Sequence, residues 1–438
     1  MSNTNAQSVS FVRDKMLPES TPPTLESGVV KWVRENLFSN VLNSVLTIAS
    51  IYVIYWIVSH LYPWFANSVW YASSLNECRE IRDATVGPGV PSACFAVITD
   101  RWEQLLFGFY PNDAYWRPVM ALVAFLVAIA PVLFVSLPRK LLWFSAASPF
   151  VMFSLLWGGS IWGPLTVAVG FGVGYAAFVL LGRVAGALVS VLGSIIAPVL
   201  FWMFLAGPIA GALTAVAPIG LPFVESRSFG GFTLSVIIGV SGIVLSMPLG
   251  ILLALGRQSD LFIINKVSVA FIEVIRGVPL IVWLFTAQLI LGYFLPPGTT
   301  FDLTLRVIIM VTLFSSAYIA EVVRGGLAAL PKGQYEGADS LGLDYWQSMR
   351  LIILPQALKI SIPGIVNTFI GLFKDTTLVV FIGLFDPIGL SNAIRASTDW
   401  NGIYWELFVF IGLLFFIFCY SMGRYSLFLE RKLQRENR

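Results

Sequence analysis

PKGQYEGADSLGLDYWQSMRLIILPQALK, residues 331–359, lies between two apolar runs at about 303–322 and 360–380 and is longer than a turn between membrane spans needs to be. Tyr335, Ala338 and Leu341 stand at i, i+3 and i+6, the spacing of one apolar helical stripe, with Glu336, Asp339 and Ser340 on the other side. Gly342 can supply the left-handed residue that ends a first helix. Asp344 can cap the start of a second, with Gln347 three residues on completing a capping box. The expectation is a pre-shaped amphipathic knob of two short helices. A helix lying flat on lipid headgroups is the competing reading of the same pattern.

Outward from this interval the chain is written for a bilayer. Of 438 residues, 57% are hydrophobic and 12% charged, and the mean hydropathy is +0.82. No soluble domain buries that much apolar surface. Runs of about 20 apolar residues recur, each long enough to cross a hydrocarbon layer roughly 30 Å thick. The formal charge of +3 gives no reason to expect nucleic acid as a partner.

Residues 1–37 read as a cytoplasmic N-terminal tail without a signal-peptide pattern. Apolar runs follow near 38–62, 118–137, 142–158, 165–182 and 185–206, forming with their connections a region 38–230. Residues 63–117, with mixed charges and GPGVP, read as an external segment, and 207–230, broken by Pro208, Pro218 and Pro222, as an external linker. A second block, 231–438, has runs near 231–255, 278–295, 303–322, 360–380 and 404–424. Basic residues mark its inner sides: Arg257, Lys266 and Arg276 in a first loop, Arg324, Lys332, Arg350 and Lys359 around the knob, and a cluster at the C-terminus. The intervening loops, 296–302 and about 386–402, hold only Arg395. With Lys31 and Arg34 before the first run, the positive-inside rule places both termini in the cytoplasm, and the parity of the two blocks agrees. The expected fold is an all-α membrane protein, a polytopic helical bundle of about ten spans, five in each block.

Lys374-Asp375-Thr376-Thr377 interrupts the apolar stretch 360–385. Charges at membrane depth cost about 2.5–3.5 kcal/mol each, so they face protein or a water-filled path. Two readings stand: Lys374 and Asp375 pair at the outer end of a span, or Lys374, Asp375 and Thr376, with Asn367 and Thr368 about two turns earlier, line a substrate pathway or gate. Glu273/Arg276 and Glu321/Arg324, each at i and i+3, read as surface ion pairs. Cys78 and Cys94 share one hydrophilic segment and are the two cysteines able to pair, whereas Cys419 lies in an apolar run.

Glu336, Ala338, Gly342, Ile352 and Pro355 stand at the spacing of the EAA-type motif of ABC-importer permeases, with Gly337 in place of the usual first alanine. SAYIAEVVRGGL (316–327), PKGQYE (331–336), LPQALK (354–359), KDTTL (374–378) and FIEVIRGVPL (271–280) resemble permeases for polar amino acids, over roughly 230–432. FGFYP (107–111) and an inner PRK (138–140) resemble the larger permease subunit of general L-amino-acid importers, close to the glutamate, glutamine, aspartate and asparagine systems. Such subunits commonly have fewer upstream spans, so 159–222 looks like an insertion.

The resemblance implies a type I importer core at 231–438 whose knob, 331–355, couples to a cytoplasmic ATPase dimer. A second homologous permease subunit, a periplasmic amino-acid-binding protein and an amino-acid substrate are the implied partners, in a bacterial inner membrane. ATP and magnesium would belong to the ATPase, since this chain has no GxxxxGK[ST] loop; no metal site is expected either, with HExxH and CxxC absent. An ion-coupled secondary transporter is the nearest rival and leaves the long knob unexplained. A membrane hydrolase would need an acid–base pair or metal cluster, and none stands out. A structural scaffold would differ from an importer in not co-purifying with an ATPase.

Overall fold

The computed structural model describes residues 28–134, 136–184, 186–290 and 302–436. Its helices are α1 (Gly28–Asn36), α2 (Val41–Ala66), α3 (Leu75–Thr85), α4 (Ala96–Phe107), α5 (Trp116–Leu133), α6 (Leu141–Leu156), α7 (Trp162–Val184), α8 (Gly186–Phe201) and α9 (Gly207–Val216). They continue with α10 (Gly231–Arg257), α11 (Phe262–Gly277), α12 (Leu280–Phe285), α13 (Leu303–Ala328), α14 (Lys332–Ser340), α15 (Tyr345–Ser348), α16 (Leu354–Asp375), α17 (Pro387–Arg395) and α18 (Trp405–Glu436). Eight stretches among the described residues are long and apolar enough to cross a membrane, and α11 with the helical stretch from Leu280 onward passes the same test only as a pair bent by 104°, the form of a broken span or a re-entrant loop. α6 is apolar throughout but, at 16 residues, it reaches only about 24 Å. Roughly ten membrane helices result, in the expected order.

Two units divide the chain: residues up to Val69 with Glu80–Ala93, and Trp70–Arg79 with Cys94 onward. In the first, the backbone of Ala93 ties down the end of α2, donating to Trp64 and accepting from Val69 at 2.8 Å each. α1 occupies nine residues of the stretch expected as a tail.

The second unit is built on close approach of helices. At Gly242 and Gly250 of α10, a Cβ would meet Val311 and Ile319 of α13 at 2.8 and 2.6 Å, so glycine is what lets these two spans touch. One apolar cluster joins Leu234, Ile238, Val307, Val311, Leu372 and Ile382. A second, at what is called here the knob end, joins Ala254, Ile272, Ile319, Val323 and Leu327 to residues of the knob itself. Residues 159–222 form a helical hairpin of α7 against α8 and α9, closed by a two-residue antiparallel ladder of β1 (Gly159–Ser160) and β2 (Gly220–Leu221).

Three expectations need correction. Residues 207–216 are span, not linker: a π-turn at Trp202–Ala206 carries α8 directly into α9, and Pro208 sits in the first turn, where a missing N–H is tolerated. Lys266 and Arg276 lie not in a loop but on α11, whose Ser268, Ile272 and Ile275 bury one helical face at i, i+4 and i+7. The 354–375 helix begins inside the polar interval, so the knob runs without a loop into its span. The expected external turn at 296–302 lies, but for Asp302, outside the described residues; Asp302 caps α13 by accepting the Leu305 N–H at 3.0 Å.

Candidate functional site

The knob is shaped by its own caps. α14 ends in a Schellman arrangement: Gly342 has φ +71°, its N–H donates to the Asp339 carbonyl at 2.9 Å, and the Leu343 N–H donates to the Ala338 carbonyl at 3.3 Å. Asp344 then caps α15, accepting the Gln347 N–H at 2.8 Å, while Gln347 Oε1 accepts the Asp344 N–H at 3.2 Å. Both devices are the ones the sequence predicts. The stripe is shorter than expected: Ala338 is fully buried and Tyr335 half-buried, but Leu341 is 73% exposed because it is the cap residue, where the helix turns away.

Ala338, Met349 and Ile353 seat the knob in the cluster formed by the ends of α10, α11, α13 and α16, with Ile352 packed at its edge. Gln356 Nε2 adds a bond to Gln334 Oε1 at 2.8 Å. Glu336, Gly337 and Pro355 are exposed, as are Leu341, Tyr345, Trp346 and Leu351. The result is a rigidly rooted projection with an apolar tip. Between its helices and Gln258 lies a cleft of about 350 Å³ lined by Tyr335, Asp339, Tyr345, Ser348 and Met349.

A second cleft, of about 250 Å³, lies between α13 and α16. Phe314, Ser315 and Tyr318 line one wall, and Asn367, Thr368, Gly371, Leu372 and Asp375 the other. Ser315 Oγ is buried and has no hydrogen-bond partner among the described residues, so the cleft holds an unmet polar group. The structure thus brings Asn367, Thr368 and Asp375 together and leaves Lys374 and Thr376 out. Lys374 is exposed off the cleft, and Thr376 is buried with its hydroxyl donating to the Phe373 carbonyl. Asn367, Thr368, Gly371 and Asp375 follow the i, i+1, i+4, i+8 face of α16, which Lys374 only borders.

The family profile described as binding-protein-dependent transport system inner membrane component matches residues 246–435. Permease protein BztC of the glutamate/glutamine/aspartate/asparagine transport system of Rhodobacter capsulatus is 56% identical over 430 residues, covering 98% of this chain and 99% of that one. This chain belongs to the amino-acid ABC-transporter permeases. The inner membrane amino-acid ABC transporter permease YhdY of Escherichia coli K12 is 39% identical over 407 residues, 93% of each chain. A solved structure described as an amino acid ABC transporter with histidines aligns over 45% of this chain at 30% identity and a TM-score of 0.41.

Around the permease's knob end, the two expected i, i+3 pairs become one network across three helices. Arg257 of α10 reaches Glu273 of α11 at 2.9 Å and Glu321 of α13 at 3.2 Å; Glu321 also takes Arg276 at 3.7 Å and Arg324. Glu273 pairs with Arg257 instead of Arg276, whose guanidinium lies over the Tyr318 ring, 5.5 Å from its centroid. Cys78 and Cys94, away from both clefts, are joined by a disulfide, and Cys419 is free.

Sequence reasoning missed Asp386 of the permease. It caps α17, with Oδ1 accepting the Gly389 N–H at 2.8 Å, and it is fully buried, with no partner for Oδ2 among the described residues. Burial pushes its carboxyl up to about 6, against the bonds from backbone N–H groups that oppose the rise. The aspartate followed by Pro387 was the available signal, a cap residue before proline at the first helical position. Because the folded value is raised, the folded permease binds the proton more tightly than the unfolded chain, and stability falls as pH rises from about 4 to 6. At neutral pH that loss amounts to roughly 2–3 kcal/mol. Asp386→Asn keeps a capping oxygen and removes the charge, so its thermal midpoint in detergent at pH 7.5 should exceed that of the unaltered protein, with the gap closing by pH 4.5. An equal midpoint at both pH values would refute the assignment.

Proposed function

We propose that this permease, paired with a second homologous permease subunit, forms the path by which polar L-amino acids of the glutamate, glutamine, aspartate and asparagine class cross a bacterial inner membrane into the cytoplasm. A periplasmic binding protein delivers the substrate. ATP and magnesium are used on a dimer of separate ATPase subunits, and this chain carries no catalytic residue of its own. Both termini and the knob face the cytoplasm.

The observation that carries this reading is the knob. Its inner face is seated among the ends of four helices, while Leu341, Trp346 and Leu351 leave its tip apolar and exposed. Exposed apolar side chains on a rooted base suit a protein groove. In that arrangement Glu336, Gly337 and Pro355 border the contact, Ala338 and Ile352 root it, and Gly342 sets the angle between its helices. Tagged permease purified in mild detergent should bring down an ATPase subunit, and Leu341→Asp with Trp346→Asp should release it while the permease stays monodisperse. Recovery of the permease without any ATPase from cells that import these amino acids would overturn the reading.

The cleft between α13 and α16 supplies the polar contacts a substrate would use. Asp375 faces its α-ammonium group, and Ser315, Tyr318, Asn367 and Thr368 offer hydrogen bonds along the same walls. A charge-assisted bond of this kind contributes about 1.5–3 kcal/mol. Asp375→Asn should therefore lower glutamine uptake into proteoliposomes about tenfold or more, at unchanged assembly. Lys374→Met is the neighbouring control and should leave uptake within about twofold; the opposite ranking would move the path to the Lys374 face.

A further inference from the structure

The end of the second unit opposite the knob carries a strap that the family profile, beginning at residue 246, does not include. Residues 70–79 and 94–107 lie across the starts of α10, α17 and α18 and are fastened at several points. The Leu75 N–H donates to the Asp399 carbonyl at 2.8 Å. Trp400, fully buried, donates its Nε1–H to Asp100 Oδ2 at 2.9 Å, and Arg101 reaches Asp399 at 3.8 Å. The most enclosed fastening is at Glu406 in the first turn of α18: 7% exposed, it accepts the backbone N–H of Cys94 at 2.8 Å across 312 residues of sequence. Cys94 is itself held to Cys78 by the disulfide, and both are buried. Glycine makes the seat close: a Cβ at Gly231, where φ is +59°, would stand 2.4 Å from the Leu105 carbonyl oxygen of α4.

α18 carries that fixed end toward the cleft. Phe415 and Phe418, about two and a half and three and a third turns beyond Glu406, pack on Phe373 of α16 with ring centroids 5.4 and 5.9 Å apart, and Phe232 of α10 completes the cluster. Phe373 in turn is wedged against α10, where a Cβ at Gly239 would meet its ring at 2.7 Å. Its chain neighbours are Leu372, which lines the cleft, and Lys374, which precedes Asp375 of the cleft. A shift of α18 along its axis must move Phe373 or open a void beside it, because packed aromatic clusters do not deform continuously.

We propose that Glu406 is a positioning residue: by accepting the Cys94 N–H it locks the far end of α18 to the disulfide-bridged strap, and so sets the wall of the α13–α16 cleft through Phe373. This rests on the reading of that cleft as the transport path. Nothing in the role asks for chemistry at Glu406 beyond a well-placed acceptor oxygen. Glu406→Gln keeps that oxygen, and Glu406→Ala removes it.

The test uses the whole importer in proteoliposomes, with glutamine and its binding protein as probes. Three quantities are read for each variant: ATP hydrolysis without binding protein, hydrolysis stimulated by loaded binding protein, and uptake. Loss of a buried charge-assisted bond lowers the thermal midpoint, but assayed well below that midpoint uptake and stimulation should still fall about tenfold in Glu406→Ala, with unstimulated hydrolysis unchanged and Glu406→Gln within about twofold of the unaltered protein. Cys78→Ser with Cys94→Ser should lower uptake in the same direction by a smaller factor. Uptake in Glu406→Ala equal to that of the unaltered importer overturns the positioning role, as does Glu406→Gln failing as badly as Glu406→Ala, or uptake falling only near the lowered thermal midpoint. If the unaltered complex itself takes up no glutamine, the transport reading fails, and the strap is not what has been refuted.

Discussion

Gly342→Val is expected to leave the permease inserted and folded while import drops about tenfold. The position is open space, with no atom of the described residues beyond its chain neighbours within 4 Å of where a Cβ would stand, so steric bulk is not the cause. The backbone is: φ is +71°, and an L residue there costs roughly 1–2 kcal/mol, more for a β-branched side chain. Relaxing to negative φ breaks the Leu343-to-Ala338 and Gly342-to-Asp339 bonds that close α14 and swings α15 out of line with it. Ala338, Met349 and Ile353 hold the base of the knob, so the change is felt at the tip that carries Leu341 and Trp346. The purified complex should lose its ATPase, or keep it and hydrolyse ATP without response to loaded binding protein. Full assembly with stimulated hydrolysis and normal import would show that the knob is not the coupling element. Gly342→Asn, which tolerates the left-handed region, should recover most of the loss.

Arg117→Met should be the most destabilising of the substitutions considered, by about 3 kcal/mol or more. Arg117 is 2% exposed and bonds no carboxylate among the described residues. Its guanidinium donates instead to three backbone carbonyls: Leu155 at 2.6 Å, Leu156 at 3.2 Å and Pro222 at 2.9 Å. Two of these are at the C-terminus of α6, where the last carbonyls have no partner within the helix and the dipole favours a cation. The Tyr110 hydroxyl donates to the Leu156 carbonyl as well, at 2.6 Å, with its ring 5.7 Å from the guanidinium carbon. Methionine fills much of the volume and satisfies none of the carbonyls. Thermal denaturation in detergent should show a clearly lowered midpoint, and Arg117→Lys an intermediate one, since a single ammonium cannot span all three acceptors. A midpoint unchanged in Arg117→Met would mean that water replaces the guanidinium at no cost.

These two cases divide along a physical line. The Gly342 turn is written in neighbouring residues: a glycine after an amphipathic stretch, then Asp344 and Gln347 three apart, each bond closing within five residues of chain. Local chemistry of that kind, together with the apolar runs that demand a bilayer, was legible without a structure, and so were the helix count and the family. Length and hydropathy could not foresee that Pro208 would sit inside a span or that α11 would bend into α12, because both depend on what the backbone finds around it.

By itself, the sequence determined the solvent, the order of the spans and the caps of the knob, since all three follow from the spacing of residues along one segment. Tertiary structure decided which polar groups meet. Arg117 finds Pro222, Glu406 finds Cys94, Arg257 joins Glu273 to Glu321, and Asp375 rather than Lys374 turns into the cleft. Those partners lie from 16 to 312 residues apart, or differ by one step around a helix, and a buried polar group takes whichever acceptor packing brings within reach.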